Sequence, residues 1–414
     1  MVSRRKVLHV ATVDLSVKHL LLNQLKALRD YGFDVHAVAA PGPSMAAVEA
    51  EGIPVHTVPL TRRIPAPVAD AAALWQLFRL MRRHEFQIVH THTPKASLLG
   101  QHTAWMAGVP LRIHTVHGLY LRNGGIGVAD RFFLLMERAT MRRAHFSLSQ
   151  NAEDVATARR HKLCEAERIA FLGNGIDCTL FVRSGVSGAV RANLSSEIGI
   201  DPGALVVGMV GRLVREKGYL DLFEAFRDVR KSLPRAMLIC VGPEEAPKKD
   251  RVTHADAGRA GLDTDAVRFL GYRTDVVELL SLMDVLVLPS HREGYPRVVM
   301  EAAAMGIPTV VTDIRGSREA VDDGRTGLIV PLKKPRALAG AIIELLSDGN
   351  RRREMGKRAR ALALRRFDEQ LVFDCVRRTY DFLENHGTSR TAAAKLQEAL
   401  RSTVAAGSAS PGAR

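Results

Sequence analysis

The stretch Ser290-His-Arg-Glu-Gly-Tyr-Pro-Arg-Val-Val-Met-Glu301 joins an apolar run to a helical run through a polar turn. Residues 285–289 are a short Val/Leu run without alternation, which is typical of a buried parallel strand. Residues 298–305 contain good helix formers and end at Gly306-Ile-Pro308. The turn is therefore predicted at the carboxyl end of a strand and the start of a helix, where open α/β sheets bind ligands and free backbone N–H groups attract phosphate.

Two glutamates bracket this turn, Glu293 in the loop and Glu301 about one turn inside the helix. Gly294 lets the backbone approach a ligand closely, and Pro296 stiffens the turn. A carboxylate accepts two hydroxyl donors at once, so the pair suits polyols such as a sugar and a ribose. The alternative is a solvated helix residue and a loop charge without a ligand.

The surrounding motifs resemble retaining glycosyltransferase family 4, and in particular bacterial envelope-polysaccharide glycosyltransferases. They are Glu293-Gly-Tyr-Pro with Glu301, then residues 302–311, Gly316, Glu319 and residues 324–331, in that order. The resemblance implies that Glu293 acts at the catalytic centre and contacts the donor sugar, while Glu301 contacts the nucleotide ribose. It also places four neighbours in the donor site: Gly294, Tyr295, Arg297 and Val298. Arg297 stands where the family more often has a small or amide residue.

Two series of strands alternating with helical runs predict an α/β chain with two parallel sheets. The first series has strands at residues 6–13, 34–40, 53–60, 87–93, 112–117 and 146–149. The second has strands at residues 205–209, 236–241, 267–270, 285–289, 309–312 and 328–331. The resemblance implies the GT-B architecture, in which two Rossmann-like, doubly wound domains face a central cleft.

This architecture divides the chain into four parts. We expect an acceptor-side Rossmann-like domain at residues 1–180 and a nucleotide-sugar-binding domain at 181–366. Residues 184–188 have the Gly/Ser composition of a flexible linker. By resemblance, a helix at 367–386 crosses back to the first domain. Residues 387–414 are small and polar, which predicts a disordered tail with at most a short helix near residues 392–400.

Arg212 and Lys217 follow the first strand of the second series and precede a helix. A helix N-terminus with nearby cations favours phosphate, and in the resembled family this Gly-Arg…Lys-Gly segment neutralises the donor diphosphate. The alternative is a pair of surface cations near a loop.

In the first series, His117 stands where the family places a histidine of the catalytic centre, so we expect it to orient the donor or acceptor. The family's glycine pair after the first strand is absent; Ser16 and Lys18 are the acceptor-side candidates there, and Lys95 is a third. His90 and His92 have the spacing of a metal pair, but the resemblance implies no metal and no other cofactor. Asp263-Thr-Asp265 is interpreted as a turn.

The net charge of +15 and the pI near 10.0 favour an anionic partner. Only 5% of the residues are aromatic, and no zinc-finger spacing occurs, so a nucleic acid is not expected. No run approaches the ~20 apolar residues of a membrane span, and the four scattered cysteines indicate neither zinc nor disulfides. We expect a cytoplasmic protein, peripheral on the inner face of the membrane through basic clusters such as Arg4-Arg5-Lys6 and Arg62-Arg63.

The function predicted is retaining transfer of a hexose-type sugar from a nucleoside-diphosphate sugar to an acceptor hydroxyl. The basic charge and the likeness to envelope-polysaccharide enzymes favour a polyprenyl-diphosphate-linked acceptor. Two alternatives stay open: a sugar-nucleotide 2-epimerase of the same fold, and a basic membrane- or nucleic-acid-binding protein with a degenerate donor site. The first would need no acceptor, and tight binding of a nucleotide sugar would count against the second.

Overall fold

The computed structural model describes residues 4–119, 121, 127–244 and 250–408, with side chains as far as residue 401. The chain folds into two compact units, each built on one parallel sheet. Unit 1 comprises Met1–Gly173 together with Leu371–Arg414, and unit 2 comprises Asn174–Gln370. The first division therefore falls seven residues before the expected boundary at 180.

The Gly/Ser-rich stretch at residues 184–188 is not a linker. Arg183–Gly185 form a 3₁₀ turn, and the Ser187 side chain caps the helix that follows by accepting from the Val190 N–H. Arg183 donates to the carbonyl oxygen of Met283 at 3.1 Å, which holds the segment on unit 2. The small residues form a turn and a helix cap. Turns and helix caps are rich in Gly and Ser, as flexible linkers are, so composition does not distinguish them.

Unit 1 has a seven-stranded sheet in the order β3-β2-β1-β4-β5-β6-β7, and its neighbouring strands pair in parallel. The strands are β1 Lys6–Val10, β2 Asp34–Ala39, β3 Val55–Thr57, β4 Ile88–Thr91, β5 Leu111–Val116, β6 Phe146–Ser149 and β7 Ile169–Phe171. Six of them coincide with the apolar runs of the first series. The seventh, β7, is only three residues long and gives no periodic signal.

The helices of unit 1 cover both faces of this sheet. They are α1 Asp14–Ser16, α2 Leu22–Asp30, α3 Ser44–Ala50, α4 Pro67–His84, α5 Pro94–Met106, α6 Val128–Arg143 and α7 Ala152–Arg160, followed after unit 2 by α16 Glu369–His386 and α17 Arg390–Ser408. Between α1 and α2, Val17–Leu21 form a turn of π-helix. One face buries α2, α16 and α17 in a continuous apolar core, and the other buries α4 and α5.

Helix α17 corrects the expectation of a disordered tail. Ala393, Leu396 and Leu400 are buried in the unit 1 core at the spacing of one helix face. The Gln397 amide donates to the backbone carbonyl of Ile169 in β7 at 2.6 Å. The helix thus covers β7, the edge strand of the sheet. Because the contact is made by a polar side chain, the composition of this segment does not predict that it packs on the sheet.

Unit 2 has a six-stranded sheet in the order β10-β9-β8-β11-β12-β13, also with parallel pairing. Its strands are β8 Leu205–Val210, β9 Ala236–Val241, β10 Val267–Phe269, β11 Val285–Leu288, β12 Thr309–Thr312 and β13 Gly327–Val330. Its helices are α8 Gly188–Ile198, α9 Tyr219–Ser232, α10 His254–Arg259, α11 Val276–Leu282, α12 Arg297–Ala304, α13 Ser317–Ala320, α14 Pro335–Ser347 and α15 Gly349–Arg366. Apolar cores lie on both faces of the sheet.

Within the described residues, no helix has both the length and the apolar composition that crossing a membrane requires.

Candidate active site

The strand order of unit 2 reverses between β8 and β11, because the chain proceeds from β8 to β9 and β10 on one side and resumes with β11 on the other. Parallel sheets bind ligands beyond the carboxyl ends of the strands at such a reversal. The loops after β8 and β11 carry Lys217 and Glu293 respectively. The two loops predicted to hold the donor are therefore neighbours at this edge.

A direct ion pair joins the two loops. Lys217 Nζ lies 2.6 Å from Glu293 Oε1, with side chains 21% and 11% exposed. The Ser290 hydroxyl donates to the same carboxylate oxygen at 2.6 Å. A half-buried carboxylate held by two partners has a fixed orientation, so the pair forms a preorganised polar group at the reversal.

Two contacts between the same loops were not predicted from sequence. The His291 ring lies 2.7 Å from the Asp221 carboxylate, and the backbone N–H of His291 donates to the Glu216 backbone carbonyl at 2.8 Å. Asp221 lies in the first turn of α9. An acidic residue at the start of a helix is the only feature of the sequence that indicates this contact. These bonds fix the Ser290–Glu293 turn against the start of α9.

Glycines allow the close approach of these loops. Gly218 has φ +83°, and a Cβ there would lie 2.0 Å from the Pro289 carbonyl oxygen. Gly316 has φ +79°, and a Cβ there would lie 2.1 Å from the Gly294 carbonyl oxygen. Both positions need a residue without a side chain, because L-residues rarely adopt this conformation and no space exists for a methyl group.

Glu301 lies on α12 with its side chain 16% exposed, and the Arg297 Nε is 3.9 Å from its carboxylate. Burial raises the pKa of Glu301, and the Arg297 guanidinium partly opposes that shift. The arginine at position 297 thus has a structural consequence, since it places a cation one helical turn from the carboxylate expected to meet the ribose. Val298 is partly buried beside it.

The Tyr295 side chain is buried. Its ring is 7% exposed and packs at an edge-to-face angle against Phe367, and its hydroxyl donates to the Glu319 carbonyl at 3.0 Å. Burial raises the pKa of this phenol. The ring and hydroxyl therefore support the loop from the core side and are engaged there, and a donor contact from the backbone of Tyr295 stays a prediction. Gly294 is half-buried, and Arg212 is exposed immediately after β8.

Unit 1 repeats the same topology, with its reversal between β1 and β4. The Thr12 and Thr93 hydroxyls, which follow these strands, lie 2.6 Å apart. His117, after β5, has its Nε2 3.1 Å from His92 Nδ1, and His92 Nε2 lies 2.9 Å from His9 Nδ1. A row of hydrogen-bonded imidazoles thus runs along the carboxyl ends of three adjacent strands and ends at His117.

Burial keeps these imidazoles neutral at physiological pH. It lowers the pKa of His117 to about 4, an effect that the hydrogen bond of His117 to the Gln150 side chain partly offsets, and it lowers the pKa of His9 to about 3. The pKa of His92 is also well below its ordinary value for the same reason. A neutral histidine can donate one hydrogen bond and accept another, which suits an orienting role.

Two of the three acceptor-side candidates lie in the predicted loop. Ser16 is half-buried in α1, and Lys18 is exposed in the π-turn after it. Asp14, which sequence reasoning missed, is buried and accepts from the Ser44 N–H at 2.9 Å, joining this loop to the one after β2.

Lys95 requires a correction. It is 6% exposed, and its ammonium lies 2.6 Å from the Asp70 carboxylate of α4. The same ammonium also donates to the Arg63 carbonyl. A buried, paired lysine holds α5 to α4 and is not available to an acceptor. The partner stands 25 residues earlier in the chain, so no local pattern in the sequence indicates the pair.

His9, His90 and His92 are buried with one nitrogen each within 4.8 Å of the others, a spacing that a metal ion could bridge. Both His90 nitrogens have partners, however, with Tyr380 Oη at 2.5 Å and Thr115 Oγ1 at 2.7 Å. The set therefore fits a hydrogen-bonded network better than a metal centre, and metal independence stays a prediction. Asp263 forms a turn, as interpreted, by accepting from the Ala266 N–H at 2.9 Å.

Comparison with known families matches most of the chain in two parts. The family described as "Glycosyl transferase 4-like domain" matches residues 18–175, and "Glycosyl transferases group 1" matches residues 190–362. The two matches correspond to the strand series of unit 1 and unit 2.

Curated relatives support the same assignment. The chain is 27% identical to the capsular polysaccharide biosynthesis glycosyltransferase CapM of Staphylococcus aureus, over 91% of this chain and 97% of the relative. It is 24% identical to an Escherichia coli UDP-Gal:alpha-D-GlcNAc-diphosphoundecaprenol alpha-1,3-galactosyltransferase, over 84% and 89%. It is 30% identical to the D-inositol 3-phosphate glycosyltransferase of Corynebacterium urealyticum, over 71% of each chain.

Solved structures share the fold. Anabaena Alr3699/HepE in complex with UDP and glucose aligns with a TM-score of 0.78 at 22% identity, over 91% of this chain and all of that one. A putative UDP-N-acetylglucosamine 2-epimerase from Listeria monocytogenes aligns with a TM-score of 0.66 at 15% identity, over 94% of this chain and 98% of that one, and so shares the fold alone. Both matched families are transferases. This chain therefore belongs to the GT-B glycosyltransferases that join a family 4-like domain to a group 1 domain, a family whose curated members include bacterial capsular and envelope-polysaccharide enzymes.

Proposed function

We propose that this glycosyltransferase moves a sugar, with retention of anomeric configuration, from a nucleoside-diphosphate sugar to a hydroxyl of a lipid-diphosphate-linked saccharide in envelope polysaccharide synthesis. The observation that carries the donor assignment is the Lys217–Glu293 contact at the β8/β11 reversal. It places a cation suited to a diphosphate beside a carboxylate suited to sugar hydroxyls.

The donor roles follow from this placement. As the glycosidic bond breaks, negative charge grows on the diphosphate, and the fixed cations of Arg212 and Lys217 stabilise it. Glu301 accepts from the ribose hydroxyls, and Glu293 accepts from the sugar hydroxyls. Two fixed protein cations supply the charge that a divalent metal supplies in other transferases, which supports metal-independent transfer.

His117 orients a substrate hydroxyl by hydrogen bonding. Its neutral ring is held by His92 on one side, so its remaining hydrogen-bonding capacity has a defined direction. Retaining transfer is expected to proceed without a strong protein base. His117 is therefore not required to accept a proton, which is consistent with an orienting role.

The lipid-linked acceptor rests on relatives whose names specify diphosphoundecaprenol substrates and on the surface of unit 1. Helices α4, α5 and α6 pack side by side. Their outer surfaces expose Trp75, Trp105, Phe132 and Leu135, each between 47% and 63% accessible. Arg79 stacks on Trp75 at 4.6 Å, and Arg143 on Trp105 at 4.2 Å. Aromatic and cationic side chains together suit an anionic membrane surface.

The α4–α6 surface replaces part of the basic cluster expected at the amino terminus. Arg5 is engaged within unit 1, at 2.7 Å from Asp381 and 2.6 Å from Glu384, and Lys6 donates to the His84 carbonyl. Two carboxylates thus offset the charge of Arg5, and the Lys6 ammonium is held at the end of α4. We therefore assign peripheral binding at the cytoplasmic face of the membrane to the α4–α6 surface.

The test combines donor binding with product analysis. We expect one nucleoside-diphosphate sugar from a panel to raise the melting temperature and to be consumed only when a polyprenyl-diphosphate-linked saccharide is present. Lys217→Ala should lower turnover by about 100-fold, on the scale of losing one preorganised charge. Lys231→Ala, an exposed lysine on the same α9, is the matched control and should leave turnover unchanged.

Three outcomes would contradict the proposal. An inverted anomeric centre in the product would exclude retention, and full turnover by Lys217→Ala would exclude its diphosphate role. Conversion of the nucleotide sugar to its 2-epimer without acceptor would identify an epimerase instead.

A further inference from the structure

A second group of histidines lies in unit 1 away from the strand ends discussed above. His36 is in β2, His56 is in the edge strand β3, and His84 is the last residue of α4. His36 lies near the amino end of β2, two residues after its pairing with Lys6 of β1 begins at Asp34. His36 therefore lies towards the amino end of its strand, whereas His117 follows the carboxyl end of β5. The proposed transfer mechanism does not use this second group.

The three imidazoles converge. His36 Nδ1 lies 2.9 Å from His56 Nε2, and the ring centroids of His56 and His84 are 5.0 Å apart. One nitrogen from each ring lies within 4.8 Å of the others. Nitrogens bound at about 2.0–2.1 Å to a tetrahedral ion stand about 3.4 Å apart, so small side-chain rotations would bring all three to one centre.

A carboxylate orients the innermost ring. Asp34 Oδ1 lies 3.3 Å from His36 Nε2, on the opposite side of the ring from His56. When His36 Nε2–H donates to this carboxylate, the lone pair of Nδ1 points towards His56 and His84. Carboxylate–histidine–metal arrangements of this kind fix the ligand tautomer and increase its basicity.

Charge and protonation are compatible with a cation. His56 is half-buried beside His36 and His84, and a neutral imidazole offers a metal the lone pair of one ring nitrogen. The nearby Lys6 ammonium, which donates to the His84 carbonyl at 3.2 Å, opposes a bound cation. The Asp34 carboxylate offsets that charge from the other side of His36.

The site is open to solvent on one side. His36 is buried, whereas His56 and His84 are half-buried and line a groove of about 950 Å³ between β3 and α4. Trp75, Phe78 and Arg79 form part of its wall. An ion could therefore approach from the groove, and a water molecule could complete a four-coordinate site.

We propose that His36, His56 and His84 bind one divalent transition-metal ion, with Zn²⁺ as the best fit, and that Asp34 positions His36 for it. Imidazole ligands favour zinc, nickel and copper over magnesium and calcium. The bound ion would join the short edge strand β3 to β2 and to the end of α4. Its role is to stabilise unit 1, independently of sugar transfer.

The test uses the full chain after removal of metals by a chelator. One equivalent of Zn²⁺ should bind by calorimetry, and Zn²⁺ at 100 times its dissociation constant should raise the melting temperature by about 5–10 °C. Mg²⁺ should have no such effect. Co²⁺ in place of Zn²⁺ should give the visible absorption of a tetrahedral complex with nitrogen ligands.

Variants separate this site from other histidines. His56→Gln and His84→Gln should lose the calorimetric equivalent and the thermal shift, and their metal-free melting temperatures report whether they fold. Asp34→Asn should retain the site with an affinity lower by about 10–100-fold, as expected for a positioning residue. His386→Gln, on the exposed end of α16, is the control and should bind Zn²⁺ as the unaltered chain does.

The proposal is overturned if the unaltered chain shows no zinc-dependent shift, or if the shift persists in the His56→Gln/His84→Gln double variant. Persistence there, with loss in a His92 variant, would place the ion in the buried His9–His90–His92 group instead.

Discussion

Glu293 and Lys217 form an ion pair, and this pairing has a direct consequence for the proposed donor binding. If Lys217 binds the donor diphosphate, as proposed, its ammonium has to move towards the phosphates and away from the carboxylate that lies 2.6 Å from it. The Ser290 hydroxyl keeps Glu293 in place when the ammonium moves. On the proposed roles, the carboxylate would then have an acceptor lone pair available for a sugar hydroxyl, and binding of the diphosphate would prepare the sugar site.

The two glutamates should respond differently to substitution. Glu301→Ala removes the expected ribose acceptor, so the dissociation constant of free nucleoside diphosphate should rise about tenfold, the effect of one hydrogen bond to a charged group. Glu293→Ala should leave nucleotide affinity nearly unchanged and lower turnover about 100-fold. Calorimetry with the nucleotide and a transfer assay measure the two effects.

Glu344→Ala, on the exposed side of α14, controls for the loss of a surface carboxylate in the same unit. Equal loss of nucleotide affinity in the Glu293 and Glu301 variants would contradict the division of roles.

The loops after β8 and β11 behave as one element, because backbone contacts and side-chain bonds connect them. Gly218 approaches the Pro289 carbonyl, and His291 contacts both Glu216 and Asp221. Contacts with the other loop therefore hold each loop in its shape. The donor site is therefore set by the packing of two strand ends more than by either loop alone.

Gly218→Ala should disrupt this element. The added Cβ would meet the Pro289 carbonyl oxygen, and alanine at φ +83° costs about 1–2 kcal/mol by itself. We expect a free energy of unfolding lower by about 2–4 kcal/mol and a weakened nucleotide affinity. Chemical denaturation and calorimetry provide the measurements.

Gly324→Ala is the matched control, since Gly324 has φ +68° and no atom of the described residues lies within 4 Å of the place that an added methyl group would take. Gly324→Ala therefore has the conformational cost of a positive φ but no steric clash. If both variants lose the same stability and nucleotide affinity, the contact with Pro289 has no special role.

The elements that sequence predicts well are those whose signal is local. The parallel strands β9 and β12 are buried along their whole length, and their predicted bounds agree with the structure. Strand β7 is too short to give a pattern, and α17 uses Gln397 to bond a neighbouring edge. The contacts of Lys95 and Tyr295 are not predicted, because their partners, Asp70 and Glu319, are distant in sequence.

Across the whole molecule, the net charge of +15 says little about where an anionic partner binds. Arg5 and Lys6 form a basic cluster in the sequence, but internal partners occupy them. The α4–α6 surface combines its exposed arginines with aromatic rings that the sequence separates by tens of residues. Only the packing of the three helices assembles this surface.

This surface should bind anionic vesicles in a salt-dependent way. Binding should be strong at 0.1 M salt, where the Debye length is ~10 Å, and largely lost at 1 M, where it is ~3 Å. Arg79→Ser/Arg83→Ser should weaken binding about tenfold or more, at about 1 kcal/mol per cation. Vesicle sedimentation with phosphatidylglycerol and with neutral lipid measures the effect.

Arg353→Ser/Arg358→Ser removes the same charge from the exposed side of α15 in unit 2 and is the matched control. Equal weakening by both double variants would indicate general charge attraction, and indifference to anionic vesicles at low salt would favour a soluble acceptor.

Unit 1 is assembled from two parts of the chain that are far apart in sequence. Its core includes Val376, Tyr380 and Leu396, which follow all of unit 2. On the ribosome, the segment as far as Gly173 emerges first but lacks this apolar partner until residues 371–396 have been made, about 10–45 s later at ~5–20 residues per second. The second unit in sequence is thus the first that can complete its fold, and the first must wait with one sheet face only partly covered, by α2 and α3.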